Sequence, residues 1–369
     1  MKMKVSELKP GYRLLEAVQG KSSRPLVPRD TILTKEIIDV LNAFFITEVE
    51  AEPAVEKGKK SRWKPSSVQK EEASGGEKEK FIREEQKNQF LTSYRNTIEM
   101  YKNQFSRWQA GVPVDISMIR RYMFPLFKKI EENPLHLLFL QNQVQKNDYV
   151  FHHAVTVGLL SGYIAKRMKL SRGDYYQVLL AGTMADCGMA KVDPKVFQKE
   201  QLTSAEREDI QLHPQYSFKL VQNIPSLNQG AKIAILQHHE RLDGSGYPSG
   251  AKGDSIHLYS RIIAISDVYH AIVCDRVYRN RVSPFEALEI MNRDMFGKLD
   301  VSILETFTNY LCQQALNMYV KLSNGMVVKI IYIDKRYPTR PVVKEAESGE
   351  ILRLDQRQDL TIEEIIREG

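Results

Sequence analysis

From about residue 133 to about residue 319 the apolar residues recur at helical spacing, and no pair of strand-like segments interrupts them. A chain patterned this way over half its length is committed to a mainly α architecture with an all-helical central domain. Two aspartates lie inside apolar helical runs of that region, Asp186 in LLAGTMADCGMAKV and Asp267 in RIIAISDVYHAIV. A buried carboxylate is costly unless it is paired or bound to a metal. There are eight histidines; His153 falls on the apolar helix FHHAVTVGLLSGYIAKRM, His213 precedes Pro214, and His238 and His239 are adjacent. Taken singly, each has a plainer reading: a lone His is a satisfied core or surface residue, and a lone buried Asp caps a neighbouring helix. Two carboxylates with several imidazoles suggest a mixed nitrogen and oxygen metal site, which suits Fe, Mn or Zn better than Mg or Ca.

The flanks read differently. Residues 1–51 predict a small α+β module, in which Leu14, Ala17 and Val18 are strand-like and Thr34 caps a helix carrying Ile37, Ile38, Leu41, Phe44 and Phe45. Residues 52–80, including KGKKSRWKPSSVQKEEASGGEKEK, hold too few apolar side chains to offset the entropy of ordering, which predicts a flexible charged linker. Residues 81–132 predict connecting helices. Leu91, Tyr94, Ile98, Tyr101, Phe105 and Trp108 are spaced as a heptad seam, and Asp115 caps a second helix that contains Pro125, where a kink is expected. The seam is short; packing on its own domain is the first reading and a homodimer through helix 91–108 the second. Residues 320–369 predict a β module with hairpin turns at Asn324-Gly325 and Ser348-Gly349 and a short helix near 361–367.

Composition narrows the function classes. Hydrophobic residues are 42% and charged residues 27%, as in soluble globular proteins. No apolar run reaches the roughly 20 residues of a membrane span, and the stretch MKMKVSELKPGY has no apolar signal segment, so a cytoplasmic protein is expected. The net charge of +7 favours an anionic ligand. No Lys/Arg block with interleaved aromatics occurs, so DNA or RNA is not expected as a partner. Cys187, Cys274 and Cys312 are odd in number and widely spaced, which reads as buried reduced thiols.

HHERLDGSGYPSG at 238–250 resembles the long HHE…DG.GYP signature of the HD-GYP family at every fixed position. DYVFHHAV at 148–155, QLTSAEREDIQLHP at 201–214 and SRIIAISDVYHAIVCDRVYR at 260–279 are similar to the family's other ligand-bearing segments, so the resemblance covers roughly 133–319. It implies a metal-dependent phosphodiesterase acting on cyclic di-GMP or a related cyclic dinucleotide, with one or two divalent ions, Fe or Mn first. Two cations ~3.5–4 Å apart acidify a bridging water and hold phosphate oxygens. The resemblance assigns His153, Asp186 and Asp267 to one ion and Asp186, His213, His238 and His239 to the other, with Asp186 bridging as the catalytic carboxylate. It implies that Gly244, Gly246 and Pro248 shape a tight loop by the ligand and that Tyr247 faces a guanine or donates a hydrogen bond. Arg276 and Arg279 stand at phosphate-contacting places, where the planar guanidinium fork is suited.

The chain departs from the pattern at its name-giving dyad, where Ala185-Asp186-Cys187-Gly188-Met189 replaces His-Asp. Ala185 removes one ligand and Met189 a cation often found there; Lys191 points elsewhere on a helix. Tyr149 stands where members with three metals carry Glu, so a third ion is not expected. His270, three residues after Asp267 and on the same helical face, is either a replacement for the lost imidazole or an outer-shell residue. His152 is rotated about 100° from His153 and is a poorer candidate. Three functions follow: a slowed phosphodiesterase, an inactive cyclic di-GMP sensor, or a purely structural interaction domain, the last opposed by the retained ligand residues.

Overall fold

The computed structural model describes residues 2–19, 25–44, 46–53, 72–144, 148–199, 201–274 and 282–366. The chain divides into two compact units, residues 1–77 with 316–369, and residues 78–315.

The first unit joins the two ends of the chain. Strands β1 (Lys2–Lys4), β2 (Tyr12–Leu14) and β5 (Glu48–Pro53) form an antiparallel sheet in the order β1-β5-β2, and β3 (Val18–Gln19) pairs with β4 (Pro25–Val27). Helix α1 (Lys35–Ala43) begins where expected, with the Thr34 hydroxyl accepting from the Ile37 amide. Its Leu41 packs with Leu14, Leu33, Val49 and Ala51 in a small core. The C-terminal strands β6 (Tyr319–Leu322), β7 (Val327–Tyr332), β8 (Val342–Glu345), β9 (Ile351–Arg353) and β10 (Ile362–Ile366) form an antiparallel sheet in the order β10-β6-β7-β8-β9. Gly325, at a positive φ of 86°, turns β6 into β7 as the Asn-Gly pair predicts. The ends, read separately in the sequence, share a core: Val40 of α1 packs with Ile331 and Val342, and Asp39 pairs with Lys344 at 2.6 Å.

Two expectations are corrected. The segment near 361–367 is the strand β10, not a helix. Ile362, Ile365 and Ile366 have helical spacing, but a register shift against β6 between Ile362 and Glu364 inserts one residue, so Ile362 and Ile365 are both buried. Residues 72–80 of the expected linker are helical, because helix α2 starts at Glu72 and runs to Gln109; the rest of that linker from 54 to 71, and Phe45, lie outside the described residues.

In the second unit α2 is followed by α3 (Ile116–Glu132), capped by Asp115 and continuous through Pro125. Then come α4 (Tyr149–Arg167), α5 (Arg172–Met184), α6 (Ser204–Gln211), α7 (His213–Val221), α8 (Gln229–Gln237), α9 (Leu258–Val273), α10 (Pro284–Asp294) and α11 (Val301–Gln313). Five of these starts carry hydroxyl, amide or carboxylate caps that satisfy otherwise unpaired amides: Ser171 for α5, a Thr203–Glu206 capping box for α6, Asn228 for α8, Ser283 for α10 and Asp300 for α11. The aromatic seam of α2 is spent inside this chain. Tyr94, Ile98, Tyr101, Phe105 and Trp108 are buried, the Tyr94 hydroxyl lies 2.9 Å from Thr156 Oγ1 on α4, and Lys102 pairs with Asp148 at 2.8 Å. The seam thus packs on its own domain, the first of the two readings. Among the described residues no helix is long and apolar enough to cross a membrane.

Candidate metal centre

Five segments each deliver polar side chains to one place. Helix α4 carries His153 and α9 carries Asp267, both buried. Asp186 ends the turn after α5, His213 is the first residue of α7, and His238 caps the end of α8 with His239 following. Gly188 sets the spacing between the first two of these termini. A Cβ there would lie 2.2 Å from the His213 carbonyl oxygen and 2.4 Å from the Ser217 amide, so only glycine lets the Asp186 turn seat against α7. The Gly188 amide then donates to Ser217 Oγ at 2.7 Å.

The two aspartates divide the imidazoles by oxygen. Asp186 Oδ1 is 3.1 Å from His213 Nε2 and 3.2 Å from His238 Nε2, and its Oδ2 is 3.5 Å from His153 Nε2. Asp267 Oδ1 is 3.0 Å from His153 Nε2 and its Oδ2 is 3.4 Å from His239 Nδ1. One ligand atom from each of Asp186, His213, His238 and His239 can be chosen with all four within 4.8 Å of one another. His153 and Asp267 adjoin this group through Asp186 and His239.

The donor set and its spacing fit a cation. His213 Nδ1 lies 2.6 Å from the Ile210 carbonyl oxygen and His238 Nδ1 lies 2.8 Å from that of Ile235. A carbonyl only accepts, so each Nδ1 carries a hydrogen and each ring turns Nε2 to Asp186. Those two Nε2 atoms are 3.2 Å apart and both face Asp186 Oδ1, which is buried. Two ring nitrogens and a buried carboxylate oxygen this close together need a positive charge among them, carried by a ring proton or by a bound cation. Burial opposes ionisation of Asp186 and Asp267, but hydrogen bonds from His213 and His238 hold the first, and a hydrogen bond from His153 helps to hold the second, well below the usual carboxylate range. Burial, helped by His238, pushes His239 down to about 3, which keeps its ring neutral and able to ligate.

The loop after His239 is built to hold that residue. Tyr247 lays its ring against His239, centroids 4.7 Å apart and planes at 32°, and its amide donates to the His239 carbonyl at 3.3 Å. Burial raises the Tyr247 hydroxyl above its ordinary pKa, so it stays protonated. A Cβ on Gly246 would lie 2.4 Å from the His239 carbonyl oxygen and 2.5 Å from the Arg241 amide. Gly244 turns the chain at a φ of 82°, and Pro248 follows a cis peptide bond. Glu240, buried at 2% exposure, ties the loop: it accepts from the Ser249 amide at 2.8 Å, the Ser249 hydroxyl at 2.6 Å and the Ala251 amide at 3.0 Å. Its place in the HHE triplet was visible, but its task was not, because its partners are donors nine and eleven residues on, two of them main-chain amides.

Other residues fall away from the centre. His152 is buried and points to Tyr94, whose hydroxyl is 3.0 Å from its Nδ1. Lys191 donates to the Trp108 carbonyl oxygen at 2.5 Å. Ala185 is buried at 3% exposure and offers no ligand atom. His270 is buried beside His153 and is not one of the four clustered ligands; its Nδ1 faces His153 and its Nε2 faces Cys274, so its ring nitrogens are turned to protein atoms and not to the metal place. Arg276 and Arg279 lie outside the described residues.

Comparison with known proteins adds the following. Residues 135–303 match the family model described as HD domain. The chain is 25% identical over 220 residues to a cyclic di-GMP phosphodiesterase of Borreliella burgdorferi, covering 59% of this chain and 57% of that protein. It is 27% identical over 237 residues to a cyclic di-GMP phosphodiesterase of Pseudomonas aeruginosa, covering 64% and 57%. It is 33% identical over 187 residues to a 3'3'-cGAMP-specific phosphodiesterase of Vibrio cholerae serotype O1, covering 49% and 43%. The chain thus spans about half the length of these relatives.

Proposed function

We propose that residues 135–303, which match the HD domain model, form a domain of the HD-GYP type and that the protein is a metal-dependent phosphodiesterase of a cyclic dinucleotide, cyclic di-GMP first. The observation that carries the reading is the meeting of Asp186 Oδ1 with Nε2 of His213 and Nε2 of His238, in a cluster with His239 whose ligand atoms all lie within 4.8 Å of one another. Asp186, His213, His238 and His239 would hold one ion, and His153 and Asp267 with Asp186 would hold a second. The imidazole and carboxylate donors suit Fe or Mn. A divalent cation held there supplies positive charge for phosphate oxygens and acidity for an attacking water. The chain's own residues do the rest: Asp186 and Asp267 stay ionised, His239 stays neutral, and Tyr247 and Glu240 hold the loop against the centre. The resemblance gives Arg276 and Arg279 the part of phosphate contacts, and the net charge of +7 favours the dianionic ligand.

Ala185 favours a second reading. With one imidazole missing, the domain keeps recognition and loses turnover, so that it acts as a cyclic di-GMP sensor. Single-turnover hydrolysis of labelled cyclic di-GMP separates the two, with protein in excess, purified without oxygen and supplied with Mn or Fe. Product that forms with this chain and not with Asp186→Ala supports the enzyme. Intact nucleotide at protein concentrations that bind it supports the sensor.

A further inference from the structure

His153 is gripped at both ring nitrogens by one helix. Its Nε2 is 3.0 Å from Asp267 Oδ1, and its Nδ1 is 2.9 Å from His270 Nδ1. Asp267 and His270 are three residues apart on α9 and project from the same face, so a single rigid element sets the ring's position and its tilt. The contact continues inward, with His270 Nε2 3.3 Å from Cys274 Sγ, one turn further along. On the α4 side, the Tyr149 hydroxyl is 3.1 Å from the same Nδ1. His153, His270 and Cys274 are 6%, 1% and 0% exposed, so water does not substitute for these contacts.

Two imidazole nitrogens at 2.9 Å share one proton, so one donates and the other accepts. With the His153 Nε2 hydrogen directed at Asp267, His153 Nδ1 accepts from His270 Nδ1, and His270 Nε2 accepts from the Cys274 thiol. With His153 Nε2 presented as a lone pair, its Nδ1 carries the hydrogen and His270 accepts it. Neutral rings satisfy both arrangements. The neighbour must be able to reverse its role, which an imidazole does and an aliphatic side chain does not.

We infer that His270 is the positioning residue of His153: it holds the ring toward Asp186 and Asp267 and follows its tautomer without being a ligand itself. The inference rests on the reading of this centre as a metal site. The test compares His270→Leu with His270→Asn, whose amide places a reversible donor and acceptor near the position of Nδ1. Two quantities are read: Mn(II) affinity by titration calorimetry, and the imidazole nitrogen resonances of His153 in metal-free protein. We expect His270→Leu to weaken Mn(II) binding by about 10–100-fold, as loss of a ligand's support does, and His270→Asn to recover most of it. We expect the His153 nitrogen shifts to move in the Leu variant and to stay near wild type in the Asn variant. Wild-type affinity and unchanged His153 shifts in His270→Leu overturn the inference, and so does equal loss in both variants, which would make the ring itself a ligand. If the wild type binds no Mn(II), the metal reading fails, while the metal-free spectra still decide whether His270 governs His153. If His270→Leu does not fold, a displaced His153 resonance in a folded His270→Asn overturns the inference and a retained one supports it.

Discussion

Asp186 faces imidazoles with both oxygens, and that sharing makes it the residue on which the centre depends. Replacing it by Asn keeps its shape and removes its charge. Loss of a ligand exceeds loss of a ligand's support, so Mn(II) affinity is expected to fall by more than about 100-fold, measured by titration against dialysed protein. An unchanged affinity would mean that the metal lies elsewhere. Ala185 supplies the converse experiment. Ala185→His returns an imidazole to the place where the family's pattern has one, and turnover of cyclic di-GMP is expected to rise by about tenfold or more, equivalent to about 1.4 kcal/mol in the barrier. A flat response would show that the missing imidazole does not limit the rate. At this scale the sequence was informative wherever residue type alone carries chemistry: His153, Asp186, His213, His238, His239 and Asp267 meet as a set. His270 was ambiguous, since helical spacing placed it on the right face but could not say which atoms its two nitrogens would reach.

At the scale of elements, the centre is made mostly of ends. Asp186, His213 and His238 all stand at helix termini, where a small shift of one helix against another moves a ligand. Gly188 and the loop 240–251 hold those ends in place. Glu240→Ala leaves the Ser249 and Ala251 amides without their buried acceptor, and a loss of about 1–3 kcal/mol in unfolding free energy is expected in urea titration. Mn(II) affinity should fall with it, because Tyr247 no longer braces His239; a destabilised variant that binds Mn(II) normally would separate the loop from the centre. Helices with caps, such as α1 behind Thr34, were legible because a hydroxyl at the start has one local use. The strand β10 was not, because its bulge is set by a partner strand some forty residues away that no local pattern of Ile residues records. The seam of α2 was legible as apolar, and only the folded contacts with α4 showed which surface it covers.

At the scale of the molecule the two units differ in what should stabilise them. A cation bound by residues 78–315 raises the stability of that unit alone, by about 2.7 kcal/mol at a concentration a hundredfold above Kd. Hydrogen exchange with and without chelator should therefore change protection in α4 and α9 and leave β7 and β8 as they were. The first unit answers to a different substitution. Val40→Asn puts an unpaired amide against Ile331 and Val342, and a cost of about 1–3 kcal/mol is expected. Protection should drop in α1, β7 and β8 together; a drop confined to α1 would mean that the two ends are stable without each other.

The shared core of those ends also has a consequence during synthesis. On the ribosome Val40 emerges first, and its partners Ile331 and Val342 come only after all of residues 78–315 have been made. At typical elongation rates that wait is on the order of ten to fifty seconds, ample for the helical unit to fold while the N-terminal strands have only half a core. The helical unit of the nascent chain is thus complete before the unit that holds α1, and a stop codon after Ala315 would leave α1 without the strands that cover it.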